Sequence, residues 1–195
     1  KTVTVAPRTG LALALEAGEE GRRLDYDTWG YVYFNKGVFY NCTSLTSVSL
    51  PEGTNVLGDG AFYGCTSLTS IALPSTVTEI GTRAFGGCTT LAGITLNEGL
   101  KKIGNYAFAG CKALTSLTLP SSLTEIGEFA FENCTSITEL SLPATVTKVG
   151  RGLFNGWTKS QTVRLSFKEG EAPADFDADW ARIYDSEGPV FSYMA

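Results

Sequence analysis

The residues of this 195-residue chain best suited to chemistry are five cysteines, and no histidine accompanies them. A thiol can be half of a disulfide, a metal ligand, a nucleophile or a small hydrophobe in a core. Spacing decides among these. Cys42, Cys65, Cys88, Cys111 and Cys134 stand 23 residues apart, and Trp157 occupies the sixth place in the series. Zinc sites draw on cysteines two to four apart in sequence, and there are none. An odd number of thiols followed by a tryptophan fits no bridging scheme either. In a parallel stack, strands about 4.8 Å apart bring neighbouring Cα atoms into disulfide range. Their parallel Cβ vectors, however, keep the Cβ atoms farther apart than the roughly 3.8 Å a bridge prefers. A reactive thiol needs a nearby cation and some exposure, which the surrounding "AFxGC" motif does not consistently supply. The spacing favours buried thiols packed as small hydrophobes.

Other chemistry is scarce. Without histidine the chain lacks the commonest general base. No nucleophile motif or phosphate-cradling loop is present, so neither an enzyme nor a cofactor is expected. "DFDAD" (Asp175, Asp177, Asp179) resembles a calcium loop, but it lacks the glycine at position six and the glutamate at position twelve. It reads better as the acidic start of a helix.

The elements that hold these residues follow from the same 23-residue step. "VFYNCTSLTSVSL" at Val38 returns as "AFYGCTSLTSIAL" at Ala61, then at Ala84, Ala107 and Ala130, and as "LFNGWTKSQTVRL" at Leu153. Six units run from Val38 to Leu165 without insertion or deletion. A fixed period of this length marks a solenoid. Phe39, Phe62, Phe85, Phe108, Phe131 and Phe154 form one column. Val48, Ile71, Ile94, Leu117, Leu140 and Val163 form another, and a leucine follows each of these two residues later. That alternation has strand period, so every unit carries a short strand such as "TSIAL". Prolines at 51, 74, 120 and 143 end the strand. Two glycine or asparagine columns, one running through Gly58, Gly81 and Gly104 and the other through Asn41, Gly64 and Gly87, predict positive φ. The "AFxGC" turn is expected to be 3₁₀ or a single helical turn. One unit alone buries too little to stand, which is why such arrays stack and are capped at both ends.

The expected architecture is therefore an α/β solenoid of six right-handed coils. A parallel β-sheet lines its concave face, and short 3₁₀ or helical turns lie on the other side. Residues 1–37 form an N-terminal cap with a partial repeat, 38–165 the solenoid and 166–195 a C-terminal cap, all within one structural domain. The alternating "TVTV" and "LALAL" read as edge strands of a cap or of a neighbouring domain's end. Register is lost after Leu165, and "APADFDADWARIY" places Phe176, Trp180 and Ile183 at i, i+4 and i+7. That spacing predicts a short amphipathic helix over the last open core.

Composition is that of a soluble globular chain, with 43% hydrophobic and 18% charged residues. A net charge of −5 argues against nucleic acid, and no apolar run reaches the roughly 18–20 residues of a membrane span. The start at Lys1 reads as a mature or truncated chain.

The repeat is similar to the pattern "IGxxAFxGCxSLTSIxLPxxVTxIG" of BspA-type leucine-rich-repeat bacterial surface proteins. The "FNGWTKSQTVRL" end resembles the way many such arrays close. The resemblance implies a leucine-rich-repeat fold and an extracellular or cell-surface, non-catalytic module that binds protein or glycan. The expected partner is a host matrix or other surface protein. A structural spacer in a larger surface protein is the alternative, and a monomer is expected.

On that architecture the outward strand positions form the expected partner-binding face: Thr69, Ser70, Thr95, Thr115, Ser116, Thr118, Thr138, Glu139, Ser141, Gln161 and Arg164. Hydroxyl side chains dominate it. They suit extended protein or glycan contact, and threonine also simply suits exposed strand positions. A second candidate is the aromatic patch of Trp29, Tyr31, Tyr33, Tyr40 and Tyr63, read as a sugar or protein platform or as cap packing. Tyr40 and Tyr63 hold the variable position of "AFxGC" on neighbouring coils, so they should stack outside the core.

Overall fold

The computed structural model describes residues 37–184 and 187–194, together with the backbone of three short strands before them. These are β1 (Thr2–Thr4), β2 (Asp25–Tyr26) and β3 (Val32–Tyr33). The alternation of "TVTV" is realised as an edge strand, with β1 parallel to β4 (Ser47–Ser49) and Val3 opposite Val48. β2 and β3 pair antiparallel. "LALAL", Trp29 and Tyr31 lie outside the described residues.

The repeat winds into a solenoid that carries two runs of parallel strands. One run is the predicted "TSIAL" set, β4, β6 (Ser70–Ala72), β8 (Gly93–Thr95), β11 (Glu139–Ser141) and β13 (Thr162–Arg164), extended by an unpredicted strand β15 (Val190–Ser192). Its pairing is segmented into β1–β4, β6–β8 and β11–β13–β15. Residues 115–119 keep the inward–outward alternation without joining a strand. The longer continuous sheet is the other run, built from strands of only two residues. Its members are β5 (Val56–Leu57), β7 (Glu79–Ile80), β9 (Lys102–Ile103), β10 (Glu125–Ile126), β12 (Lys148–Val149) and β14 (Asp175–Phe176). Along it Val56, Glu79, Lys102, Glu125, Lys148 and Asp175 stand side by side. From Glu79 onward the charges alternate, with Lys102 to Glu79 at 3.2 Å and Lys148 to Glu125 at 3.1 Å. Glu79 holds the Lys102 ammonium above its ordinary pKa.

Among the described residues there is no helix, and the "AFxGC" turn shows why. Its amides alternate in direction. Gly60, Phe62 and Gly64 donate to Thr82, Ala84 and Gly86 of the next coil, whereas Ala61, Tyr63 and Cys65 donate three residues back. In a 3₁₀ or α-helical turn all amides point the same way along the chain, so the alternation observed here makes the expected helical turn a set of linked β-turns that also cross-link the coils.

This geometry needs two left-handed residues four apart. Asn41, Gly64, Gly87, Gly110, Asn133 and Gly156 take φ of 55–78°, as the glycine–asparagine exchange predicts. The second positive-φ column is Gly60, Arg83, Tyr106, Phe129 and Gly152, at 52–62°. It is not the Gly81–Gly104 column expected to share that conformation. Those glycines answer a different demand: a Cβ on Gly104 would sit 2.7–3.0 Å from the Gly81 and Thr82 backbone. They let adjacent coils close.

Inside, Phe39, Phe62, Phe85, Phe108 and Phe131 stack face to face at 5.1–5.9 Å. All five cysteines are free, and Cys65, Cys88, Cys111 and Cys134 are fully buried. Each of these four thiols donates to the carbonyl of the phenylalanine one coil back, Cys65 to Phe39 at 3.0 Å and Cys111 to Phe85 at 3.2 Å. Those carbonyls also accept the turn amide of their own coil's cysteine, so both lone pairs are occupied. Trp157 takes the sixth place because its indole N–H makes the same bond, to Phe131 O at 2.8 Å. The column selects a buried apolar side chain with one donor.

The C-terminal segment departs from expectation most. Phe176, Trp180 and Ile183 do pack on the core, but the segment is a seventh coil and not an amphipathic helix. β14 pairs with β12 at a step of 27 (Lys148 opposite Asp175), and β15 pairs with β13 at a step of 28 (Val163 opposite Phe191). Gly152 and Leu153 donate to the carbonyls of Asp179 and Trp180, and Asp177 donates to Val149. A helix would have spent those groups internally. Phe167, Phe176, Trp180, Phe191 and Tyr193 close the open end through edge-to-face and tilted contacts.

Two predictions follow from this packing. Gly104→Ala should lose about 3 kcal/mol, the upper end of overpacking. Gly93→Ala, with nothing within 4 Å of its Cβ, should gain about 0.4–1 kcal/mol; urea midpoints decide between them. Burial pushes the thiols of Cys65 to about 11 and of Cys88 and Cys134 to about 12. At pH 8 a thiol reagent should therefore label only half-buried Cys42 in the folded protein. Between pH 9 and about 11 the unfolded chain sheds thiol protons that the folded chain retains. Stability should fall over that window by about 1.4 kcal/mol per pH unit for each buried thiol, as read from pH-dependent urea melts.

Candidate interaction surfaces

The outward strand positions lie where their alternation puts them. Thr69, Ser70, Thr95, Thr115, Ser116, Thr118, Thr138, Glu139, Ser141 and Arg164 are all exposed, one set per coil. Because in-register stacking repeats each position at the strand spacing, the hydroxyls form short rows and not isolated points. The Thr69 hydroxyl donates back to the Thr46 carbonyl at 3.4 Å.

Gln161 does not belong to this face. It is 2% exposed, donates to the Cys134 and Ile137 carbonyls at 3.2 and 2.9 Å, and accepts from the Thr158 amide at 3.0 Å. Where earlier coils place threonine or alanine outward, the longer amide folds in and satisfies backbone groups beneath the last repeat. A buried amide with these partners costs little, whereas a threonine could not reach them.

Glu139 and Arg164 interrupt the hydroxyl rows, and they answer each other. Thr162 lies opposite Glu139, and Arg164 follows two residues later on the same side of β13. The guanidinium Nε and Nη2 reach the two carboxylate oxygens at 2.7 and 2.8 Å, a fork-to-fork pair. Arg164 holds the Glu139 carboxyl below its ordinary range. Both side chains are about half exposed, at 49% and 57%, so the pair fixes local geometry more than it stabilises the fold.

The aromatic candidates divide. Tyr33 is described only as backbone of β3. Tyr40 and Tyr63 stack outside the core at 5.1 Å and 16°, as their register requires. Sequence reading missed the continuation. The positive-φ column bears Arg83, Tyr106 and Phe129, with Arg83 over Tyr106 at 4.6 Å and Tyr106 stacked on Phe129 at 5.0 Å. Tyr184 meets Phe129 at 5.9 Å, and Arg151 lies over the same ring. Burial, reinforced by the Glu132 carboxylate, raises the Tyr106 hydroxyl pKa. Three bulky residues in a left-handed conformation cost roughly 1–2 kcal/mol each. Stacking returns about 0.5–1.5 kcal/mol per pair. The ring contacts thus offset much of the strain. Its signal in the sequence was weak because arginine, tyrosine and phenylalanine share a site without sharing a residue type.

Among the described residues no cluster of three histidine, cysteine, aspartate or glutamate side chains is placed to hold a metal. The "DFDAD" carboxylates work locally: Asp177 accepts from the Asp179 amide at 2.8 Å, and Asp179 pairs with Arg182. No helix among the described residues is long and apolar enough to cross a membrane.

Comparison with known proteins agrees with this geometry. Residues 32–167 match the BspA type leucine rich repeat region in six copies, well over half of the chain. A T. pallidum leucine-rich-repeat protein of known structure is similar at 38% identity, with a TM-score of 0.58; the match covers 62% of this chain and 58% of that one. A leucine-rich repeat protein from Bacteroides ovatus ATCC 8483 shares the fold at 22% identity and a TM-score of 0.52, covering 82% of this chain and 52% of that one. The chain thus spans little more than half the length of either. No curated protein sequence matches. Such solenoids are consistent with protein-interaction modules. The unit that lays out both the hydroxyl rows and the aromatic column is the family's own, and the chain belongs to the BspA-type leucine-rich-repeat proteins.

Proposed function

We propose that the chain is a non-catalytic binding or adhesion module displayed outside the cell, and that it grips a protein partner through the strand face. The observation that carries the proposal is the run of exposed hydroxyl side chains on successive coils, Thr69 and Ser70 through Thr138 and Ser141, with its one strong ion pair already internally matched. Such a surface presents donors and acceptors at the strand spacing and no dominant charge. That suits a long, shallow contact with another protein surface, such as a host matrix or neighbouring surface protein. Hot spots favour tryptophan, tyrosine and arginine, so affinity on this face would come from many modest contacts.

A spacer role is the second reading. It is supported by the exposed Val190 and Met194 on the last coil, where a further stacked unit would find apolar surface and a strand edge.

A binding screen against matrix proteins and surface glycans separates the two. A protein ligand should emerge, and a Thr118→Arg/Ser141→Arg double variant should lose at least tenfold in affinity for it. Its stability should shift by less than about 0.5 kcal/mol, as for other surface changes. Unchanged affinity in the variant removes the strand face from the reading, and empty screens in both arms leave the spacer.

A further inference from the structure

On the turn side of the solenoid, away from the strand face, the outer aromatics are interrupted. Tyr40 and Tyr63 stack on the first two coils in the variable "AFxGC" column, and that column continues as Gly86, Ala109, Glu132 and Asn155. The neighbouring column begins with Gly60 and carries Arg83, Tyr106 and Phe129 before returning to Gly152. The aromatic run therefore switches columns at the third coil, and a gap opens at the switch. It is a groove of about 290 Å³ lined by Tyr63, Arg83, Tyr106 and Glu132, with Asn133 at its rim and a floor of Gly86, Gly87, Ala109 and Gly110.

Three features say that the groove is built. The Arg83 and Tyr106 side chains that form one wall stand at φ of 55°, in a column that uses glycine at its outer coils, Gly60 and Gly152. Strain of this kind is kept where side chains are needed for what they present. The floor holds nothing larger than the Ala109 methyl, and Gly86, unlike Gly87 and Gly110, is not required by the turn: a Cβ there would press on the Tyr63 ring at 3.1 Å. The rim groups are held in place, with Arg83 packed over Tyr106 at 4.6 Å and Glu132 accepting from Asn155 at 2.9 Å.

We propose that this groove binds one pyranose ring of a neutral glycan, as a site separate from the strand face. Its volume is at the lower limit of small-ligand sites, about 300 Å³, which suits a single ring. The face of Tyr63 turned away from Tyr40 takes the apolar face of a sugar, while Tyr106, covered by Arg83 and Phe129, offers its edge and its phenol. A guanidinium, a carboxylate, an amide and two phenols surround the groove, and ring hydroxyls can both donate to and accept from such groups. An anionic or cationic ligand would meet a like charge within the same groove. An aromatic side chain of a protein brings at most one polar group, so it would answer few of the polar groups that line the groove.

The test is an NMR titration of the isotope-labelled chain with methyl β-glucopyranoside and methyl β-galactopyranoside, and separately with N-acetyl-tyrosinamide. At least one glycoside should give saturable shifts at the amides of Gly86, Gly87, Tyr106 and Gly110, with a millimolar midpoint. Gly86→Tyr puts a ring into the gap beside Tyr63 and should weaken binding at least tenfold while every wall residue remains. Tyr106→Gly relieves the left-handed strain while giving up the Arg83 and Phe129 contacts, so it should remain folded and also lose at least tenfold. It serves as the decisive variant if the first fails to fold. No saturation by either glycoside at tens of millimolar overturns the proposal, as do shifts confined to the strand face or unaltered binding in a folded variant. Saturation by N-acetyl-tyrosinamide alone assigns the groove to a protein side chain instead.

Discussion

The structure depends on how one turn distributes its amides. In each "AFxGC" segment alternate N–H groups point along the stack and back along the chain, so a single turn both closes its own coil and fastens the next. Neither half of this pattern suffices by itself: turns without inter-coil bonds would leave coils free to slide, and inter-coil bonds without the turns would not close a coil. The alternation demands two left-handed residues four apart, a close approach at the preceding glycine, and an apolar donor one coil on to meet the phenylalanine carbonyl. Cysteine satisfies the last requirement four times, and tryptophan satisfies it where the array ends.

That constraint explains what could be read from the sequence and what could not. Columns that demand one residue type announce themselves, so the phenylalanine stack, the buried thiols and the inward strand residues were legible from spacing alone. The column at Arg83, Tyr106 and Phe129 was not, because left-handed φ normally advertises itself through glycine or asparagine and here it does so only at the column's ends. Gln161 shares a column with outward threonines, and nothing in its spacing reveals that the repeat's end leaves carbonyls for it to satisfy. The C-terminal coil was misread for a related reason. Its aromatic residues fall at helical spacing, but the coil before it presents backbone groups that only another extended, turning chain can meet.

The two sides of the solenoid divide labour accordingly. On the strand face most coils offer small hydroxyls, interrupted by Ala92 and Gly93 and by the Glu139–Arg164 pair, so the surface is long and shallow in relief. On the turn side, the variable "AFxGC" column carries no backbone demand, and the left-handed column beside it admits large side chains at the cost of strain. Here the coils differ from one another: tyrosine pair, glycine floor, arginine–tyrosine–phenylalanine stack. Individuality in a repetitive chain collects where the turn imposes no residue type.

The two-residue strands add a rule about growth. Glu79, Lys102, Glu125, Lys148 and Asp175 alternate in sign from coil to coil, and like charges set side by side across paired strands repel. Duplicating one of these coils in place would set acid against acid or base against base. Duplicating two adjacent coils together would preserve the alternation. The backbone repeats every coil, but the charges repeat every second one, so an array of this kind lengthens without electrostatic cost only in pairs.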